Sequence, residues 1–221
     1  MNEGTCAPAR VRSAGLVAAA ACLGLITSCG GDGGTARTES SVSHATGHAY
    51  TAAYEAGWRA GKRIFEDDGK GAAVREVVWG GCVRRSLTAR PRDVVDGDRG
   101  AWVLGCEQGA GSGAERHPPT GPVTRRAPDP DLLGRFRSWA AAHGEQRSAR
   151  HAGRVVLVHL GTRDYDVELA CTRTARSPKA DVRRLADAFA TWWDGDDGDG
   201  TAWNLIVTDP AGQRLFTRAL G

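Results

Sequence analysis

Lysine is nearly missing from this chain: of 29 lysines and arginines, only Lys62, Lys70 and Lys179 are lysine. Together with abundant Gly, Ala and Asp, this bias reflects the codon usage of a GC-rich genome and carries no function. A basic surplus is missing as well. The net charge is +3, and loss of residues 1–28 would remove Arg10, Arg12 and Glu3, leaving the remainder close to neutral. A folded region without a strong positive field is a poor nucleic-acid binder, and that class is excluded. Catalytic signatures are also wanting. There is no Gly-x-Ser-x-Gly elbow, no phosphate-binding Gly-Lys-Ser/Thr and no dinucleotide fingerprint. Nor does any apolar run reach membrane-spanning length. The strongest, within Ser13–Ser28, has sixteen uncharged residues, short of the ~20 that a permanent helix needs.

What is present starts with that run. Arg10 and Arg12 precede it and small residues end it, which is the layout of a secretory signal. Ile26-Thr27-Ser28-Cys29 resembles the lipobox of bacterial lipoproteins: aliphatic, small, small, cysteine. The resemblance implies cleavage after Ser28 and a diacylglycerol on Cys29, the two-chain anchoring that holds a protein durably at a membrane. Cys22 is a poorer candidate because Ala19 stands where the aliphatic residue belongs. The expected location is the extracytoplasmic face of the cell membrane. Residues 29–43, rich in Gly, Ser and Thr and without an aromatic, read as a flexible tether.

Residues 44–112 read as a small helical region. Tyr50, Tyr54, Trp58 and Phe65 recur at steps of four or seven, and Ala53, Gly57 and Gly61 form a stripe of small residues suited to close packing. Asp67-Asp68-Gly69-Lys70-Gly71 breaks the helix. Val74, Val77, Val78 and Cys82 then recur at helical spacing, and Trp102 and Cys106 sit four apart on a further helix. Gly105–Gly113 reads as that helix's frayed exit. Export favours disulfides. Cys6 and Cys22 leave with the signal and Cys29 takes lipid, so Cys82, Cys106 and Cys171 remain. A Cys82–Cys106 bridge would close a loop of about 25 residues, worth ~3–4 kcal/mol in the chain-entropy account. The segments 49–58 and 102–109 resemble short helical pieces of uncharacterised actinobacterial secreted and membrane proteins, a group that brings no known activity.

Residues 113–130 hold Pro118, Pro119, Pro122, Pro128 and Pro130 and no aromatic, the pattern of an extended linker. Residues 131–221 then follow an α-β-β-α-β-β plan. Asp131 can cap a helix lined by Leu132, Leu133, Phe136, Trp139, Ala140 and His143. Val155–Leu160 is a β-type run. Tyr165, Val167, Leu169 and Cys171 alternate with Asp166, Glu168, Ala170 and Thr172 across a second strand. A second helix presents Val182, Leu185, Ala186, Phe189 and Trp193, followed by strands at 203–208 and 215–220 joined by Asp209-Pro210-Ala211-Gly212, a type I turn pattern. The expected fold class is α+β: a small disulfide-stapled helical region, then a four-stranded antiparallel sheet with two helices on one face. This topology resembles the BON domain of bacterial envelope proteins, although residues 195–200 stand where its Gly-Val signature belongs.

Candidate chemistry is sparse. His44 and His48 have metal-ligand spacing, but Ala45 replaces the glutamate of a zinc protease motif. Asp194–Gly200 is rich in carboxylates but fails the EF-hand order. His117, His143, His151 and His159 are scattered, and Cys171 on an inward strand face reads as a buried thiol. No metal site and no cofactor is implied. Eight arginines against four acids between Glu115 and Arg154 could meet anionic headgroups or wall polymers. The sequence therefore predicts a non-catalytic, lipid-anchored envelope protein whose α+β domain binds a protein or lipid partner. A second reading is a carrier of a small apolar ligand lined by Trp139, Phe189, Trp193 and Trp203. A third is an extracytoplasmic enzyme built around His143, His151 or His159.

Overall fold

Glycine decides how the first helices meet. The computed structural model describes residues 49–111, 115–193 and 200–220. Helix α1 (Ala49–Val78) and helix α4 (Arg99–Ala110) each present a stripe of small residues, Ala53/Gly57/Gly61 on one and Ala101/Gly105/Gly109 on the other. A Cβ placed on Gly57 would lie 2.0 Å from the Trp102 carbonyl oxygen, and one on Gly61 would lie 2.0 Å from that of Cys106. The reverse contacts are as close: 2.1 Å from Gly105 to the Tyr54 oxygen and 2.2 Å from Gly109 to that of Trp58. The two backbones therefore touch with no side chain between them. Gly105 and Gly109 are packing surface inside α4, which corrects their reading as a frayed exit.

Two short helices, α2 (Gly81–Ser86) and α3 (Arg92–Gly97), complete this layer, and the Cys82–Cys106 disulfide joins α2 to α4. The expected break falls at Gly69, whose φ of 76° is left-handed and suits glycine. Beyond it the helical direction resumes, but Val74, Val77 and Val78 are not a packed face. They are exposed, and Ala72, Ala73 and Glu76 turn inward instead.

The rest of the chain comprises β1 (Arg125–Pro128), α5 (Pro130–Ala142), α6 (Gln146–Ala149), β2 (Ala152–His159), β3 (Asp164–Cys171), α7 (Lys179–Trp192), β4 (Thr201–Thr208) and β5 (Arg214–Ala219). The class is α+β, as expected, and α5 and α7 share one face of the sheet through Leu133, Phe136, Leu185 and Phe189. The expected four-stranded antiparallel sheet is corrected. There are five strands in the order β1-β2-β3-β4-β5, and β3 pairs with β4 in parallel. Both predicted hairpins exist, β2/β3 and β4/β5. However, α7 returns the chain to the end of the sheet from which β3 started, and a single helical crossover makes neighbouring strands parallel. The cap of α5 also moves: Asp129, not Asp131, accepts from the Leu132 N–H at 2.8 Å, with Pro130 in the first turn.

The extra strand comes from the proline-rich stretch. Arg125–Pro128 runs antiparallel to β2, and the segment before it is pinned by Asp98, the cap of α4. The Asp98 carboxylate accepts from Val123 N (2.7 Å), Thr124 N (2.9 Å), Thr124 Oγ1 (2.6 Å) and Ala101 N (3.0 Å). Three layers result. Tyr165, Val167, Leu169 and Cys171 face α5–α7. On the opposite face Val156, Val158 and Leu160 share a core with Tyr54, Val83, Val95 and Trp102 of the helical layer. The helical region and the sheet thus pack together as one unit, joined through the shared core that Val156, Val158 and Leu160 form with Tyr54, Val83, Val95 and Trp102.

Gly57→Ala or Gly105→Ala is expected to destabilise the fold by ~1–3 kcal/mol despite the ~1 kcal/mol gain in helix propensity. Gly134→Ala in α5, where an added Cβ meets nothing within 4 Å, is expected to be neutral or stabilising. Denaturant midpoints of the three variants check the contrast.

Candidate functional site

The last strand is shaped by its turn. Asp209 Oδ1 accepts from Ala211 N (2.9 Å) and Gln213 N (2.8 Å), and Gly212 adopts a φ of 81°. This is the predicted turn, closed by a left-handed glycine of the kind that starts a bulged hairpin. It sends β5 back along β4 as the last strand of the sheet, with no further strand beside it among the described residues.

Two clefts flank β5. The larger, 800 Å³, lies against α7: Lys179, Arg183 and Arg184 meet Arg214, and Val182 and Phe216 supply apolar lining. The Arg183 guanidinium stands 5.7 Å from the Phe216 ring, and Arg218 is ion-paired with Asp187. The second cleft, 550 Å³, lies towards the helical layer and is lined by Arg84, Leu87, Thr88, Asn204, Arg214 and Phe216. Arg214 Nη1 donates to the Leu87 carbonyl at 3.0 Å. Burial lowers the Arg214 pKa, and the neighbouring charges of Arg92, Arg99 and Arg90 lower it further against the opposing pull of Asp96. Among the described residues Lys179, Arg183, Arg184, Arg84 and Arg214 have no carboxylate partner. The edge is thus an apolar-floored slot with uncompensated positive charge on both sides.

Behind the second cleft lies a buried polar cluster. Asn204 Nδ2 donates to Asp166 Oδ1 at 2.7 Å, and Arg99 Nη2 reaches Asp166 Oδ2 at 2.6 Å and Ser86 Oγ at 2.9 Å. Asp166 is fully buried between the layers; burial raises its pKa, with Arg99 and Asn204 opposing. Sequence reasoning placed Asp166 on the correct strand face but took that face for an outer one, so the cluster was missed. Glu107 of α4 was missed too. Burial, reinforced by the charge of Asp164, raises its pKa to about 7. Asp164 itself accepts from Trp203 Nε1 at 2.6 Å.

The structure does not gather the candidate histidines. His143 ends α5, its Nδ1 2.8 Å from the Trp139 oxygen and its ring stacked on that indole. His151 contacts Thr172 Oγ1 at 3.0 Å and Arg173 at 3.0 Å, while His159 lies at the far end of β2 beside Tyr165. Cys171 is a buried free thiol, and burial pushes its pKa up, away from nucleophilic character. The aromatic quartet of the carrier reading is split. Phe189 stacks with Trp193 and tilts against Phe136 in one layer, whereas Trp203 packs into the other. Cys29, His44, His48 and Asp194–Asp199 lie outside the described residues. Among the described residues no three His, Cys, Asp or Glu side chains are grouped to hold a metal, and no helix is long and apolar enough to cross a membrane.

Set against protein-family models, curated proteins and solved structures, the chain matches none of them.

Two outcomes follow from the buried charges. Arg99→Met strands Asp166 and is expected to cost ~3–5 kcal/mol, much of it recovered in Arg99→Met/Asp166→Leu. For Glu107, the folded chain holds a proton that the unfolded chain releases between pH 4.5 and about 7, so stability falls as pH rises through that window. Glu107→Gln is expected to flatten this slope and, with partial exposure allowed for, to stabilise at pH 8 by on the order of 2 kcal/mol. Thermal unfolding from pH 4 to 9 checks both the slope and its loss.

Proposed function

We propose that this chain is an actinobacterial lipoprotein, held at the outer face of the cell membrane by a lipid on Cys29, and that it acts as a non-catalytic module binding a partner protein at the β5 edge. The observation that carries the reading is the pairing of that edge with two clefts, one on each side. A strand added beside β5 would point alternate side chains to opposite sheet faces, and so into the two clefts in turn. The uncompensated arginines select an acidic, extended segment, because charge complementarity sets partner choice. The same charges oppose a second copy of the chain, since like-charged edges repel. An apolar-ligand carrier finds less support, because the mutually packed rings of Phe136, Phe189, Trp192 and Trp193 fill the layer that would hold the ligand. The lipobox-like Ile26–Cys29 supports the anchor, and the Cys82–Cys106 disulfide suits an oxidising compartment.

A short peptide alternating valine and glutamate is expected to bind the full chain at least about tenfold more tightly than one alternating valine and lysine. Binding is expected to slow amide exchange across Arg214–Ala219, and Arg183→Glu/Arg214→Glu is expected to reverse the preference. Equal affinity for the two peptides, or exchange in β5 unaltered by binding, overturns the strand-edge reading. Intact mass of the membrane-extracted chain is expected to show a diacylated N-terminal Cys29, and an unmodified chain overturns the anchor.

A further inference from the structure

The end of α1 is built inside out. Ala72, Ala73 and Glu76 face the body of the protein, Glu76 accepting from Arg85 Nε at 2.8 Å. Val74, Val77, Val78 and Trp79 are 52%, 41%, 60% and 59% exposed, and they are the exposed large hydrophobics among the described residues. Scattered apolar side chains on a surface need no explanation, but four within six consecutive residues form a patch that marks an interaction site. Its charged neighbours are cationic. Lys70 and Arg75 are exposed on the same segment, and Arg84 donates to the Trp79 carbonyl while its guanidinium stands 5.3 Å from the Trp203 ring. None of these three has a carboxylate partner among the described residues. Of the acids along this stretch, Glu76 is turned inward to Arg85, and Asp67 and Asp68 line a cleft with Arg85 and Arg90.

We propose that Val74, Val77, Val78 and Trp79 seat the domain on an anionic lipid surface, as a second contact beside the anchor at Cys29, on which this inference rests for delivery to the membrane. The chemistry is that of an interfacial element. An indole and three aliphatic side chains enter the headgroup boundary, and lysine and arginine at its rim meet lipid phosphates. A second copy of the chain is a poorer occupant. Four side chains supply on the order of 400 Å², about half the ~800 Å² per partner of a stable dimer, and self-pairing would bring Lys70 and Arg75 towards their own copies. Geometry allows the contact, because the chain between Cys29 and Ala49 can extend by roughly 70 Å. The patch therefore reaches the bilayer that holds the anchor. Arg84 lines the second cleft as well as the rim of the patch, so the lipid contact would also set how the β5 edge is presented to its partner.

The test uses the full chain extracted from membranes and reconstituted into vesicles of phosphatidylcholine and phosphatidylglycerol with brominated acyl chains. Tryptophan fluorescence is expected to be quenched, the quenching to vanish in Trp79→Phe, and to fall by about half or more in vesicles of phosphatidylcholine alone. Val74→Ser/Val78→Ser is expected to weaken it with an unchanged circular dichroism spectrum. Quenching that survives in Trp79→Phe overturns the proposal. So does protection of residues 74–79 from amide exchange that scales with the protein-to-lipid ratio, which marks a second copy as the occupant. An unquenched chain whose mass shows lipid on Cys29 overturns the patch and leaves the anchor standing. If the mass shows no lipid, the anchor fails by itself, and Trp79-dependent sedimentation of the chain with anionic vesicles still supports the patch.

Discussion

The contact on which the rest depends is the side-chain-free crossing of α1 and α4. Carbonyl oxygens of Tyr54, Trp58, Trp102 and Cys106 sit where Cβ atoms would otherwise be. The crossing is tight enough that each helix presents its larger residues, Tyr54 and Trp102 among them, to a shared core instead of to each other. The disulfide attaches α2 to this pair through Cys106, one residue along from Gly105. A small layer with few large apolar residues gains a defined shape in this way, and that shape covers one face of the sheet.

Covering that face has an electrostatic consequence. Asp166, which on an open sheet would point to water, is taken fully out of solvent, and a buried charge must be paired. Arg99 supplies the pairing from the first turn of α4, directly after Asp98. Two consecutive residues therefore do opposite jobs: Asp98 ties the proline-rich segment to the helix, and Arg99 ties the helix to the sheet. The pair is weak as a source of net stability, because desolvation offsets most of the attraction. Its value is in register. A helical layer shifted by one turn would leave Asp166 without a cation.

The legible parts of this fold were those set by local rules. The β3 alternation, the turn at Asp209–Gly212 and the helices carrying Phe136 and Phe189 follow from periodicity and turn chemistry. The Cys82–Cys106 pairing is the one that helical spacing within the first region favours among Cys82, Cys106 and Cys171. What was not legible depended on partners remote in sequence. Arg125–Pro128 has no strand propensity, and β2 gives it a strand by offering an unpaired edge. The glycines of α4 resemble a loop until the matching stripe on α1 is placed against them. Val74, Val77 and Val78 have the spacing of a core face and are none, because Glu76 takes the inward position to meet Arg85. The β5 slot was invisible for a similar reason: its walls come from α2 and α7, about a hundred residues apart in the chain.

The two ends of the sheet differ in how far they are closed to pairing, which is why the proposed partner is placed at β5. Strand β1 is four residues long, ends in Pro128 and carries Arg125 and Arg126, with Arg126 reaching Glu168 at 2.8 Å. Shortness, proline and charge are the means by which an edge is closed to pairing. Strand β5 has no proline, is longer, and keeps Leu215 and Phe216 only half-buried. Its positive charge stands on the walls of the flanking clefts as well as on the strand. An edge defended only against its own kind would need the charge on the strand alone. Cations placed deeper, over apolar floors and beside an open backbone edge, oppose a basic or identical strand more than an acidic one, and that asymmetry is the physical basis of the proposed site.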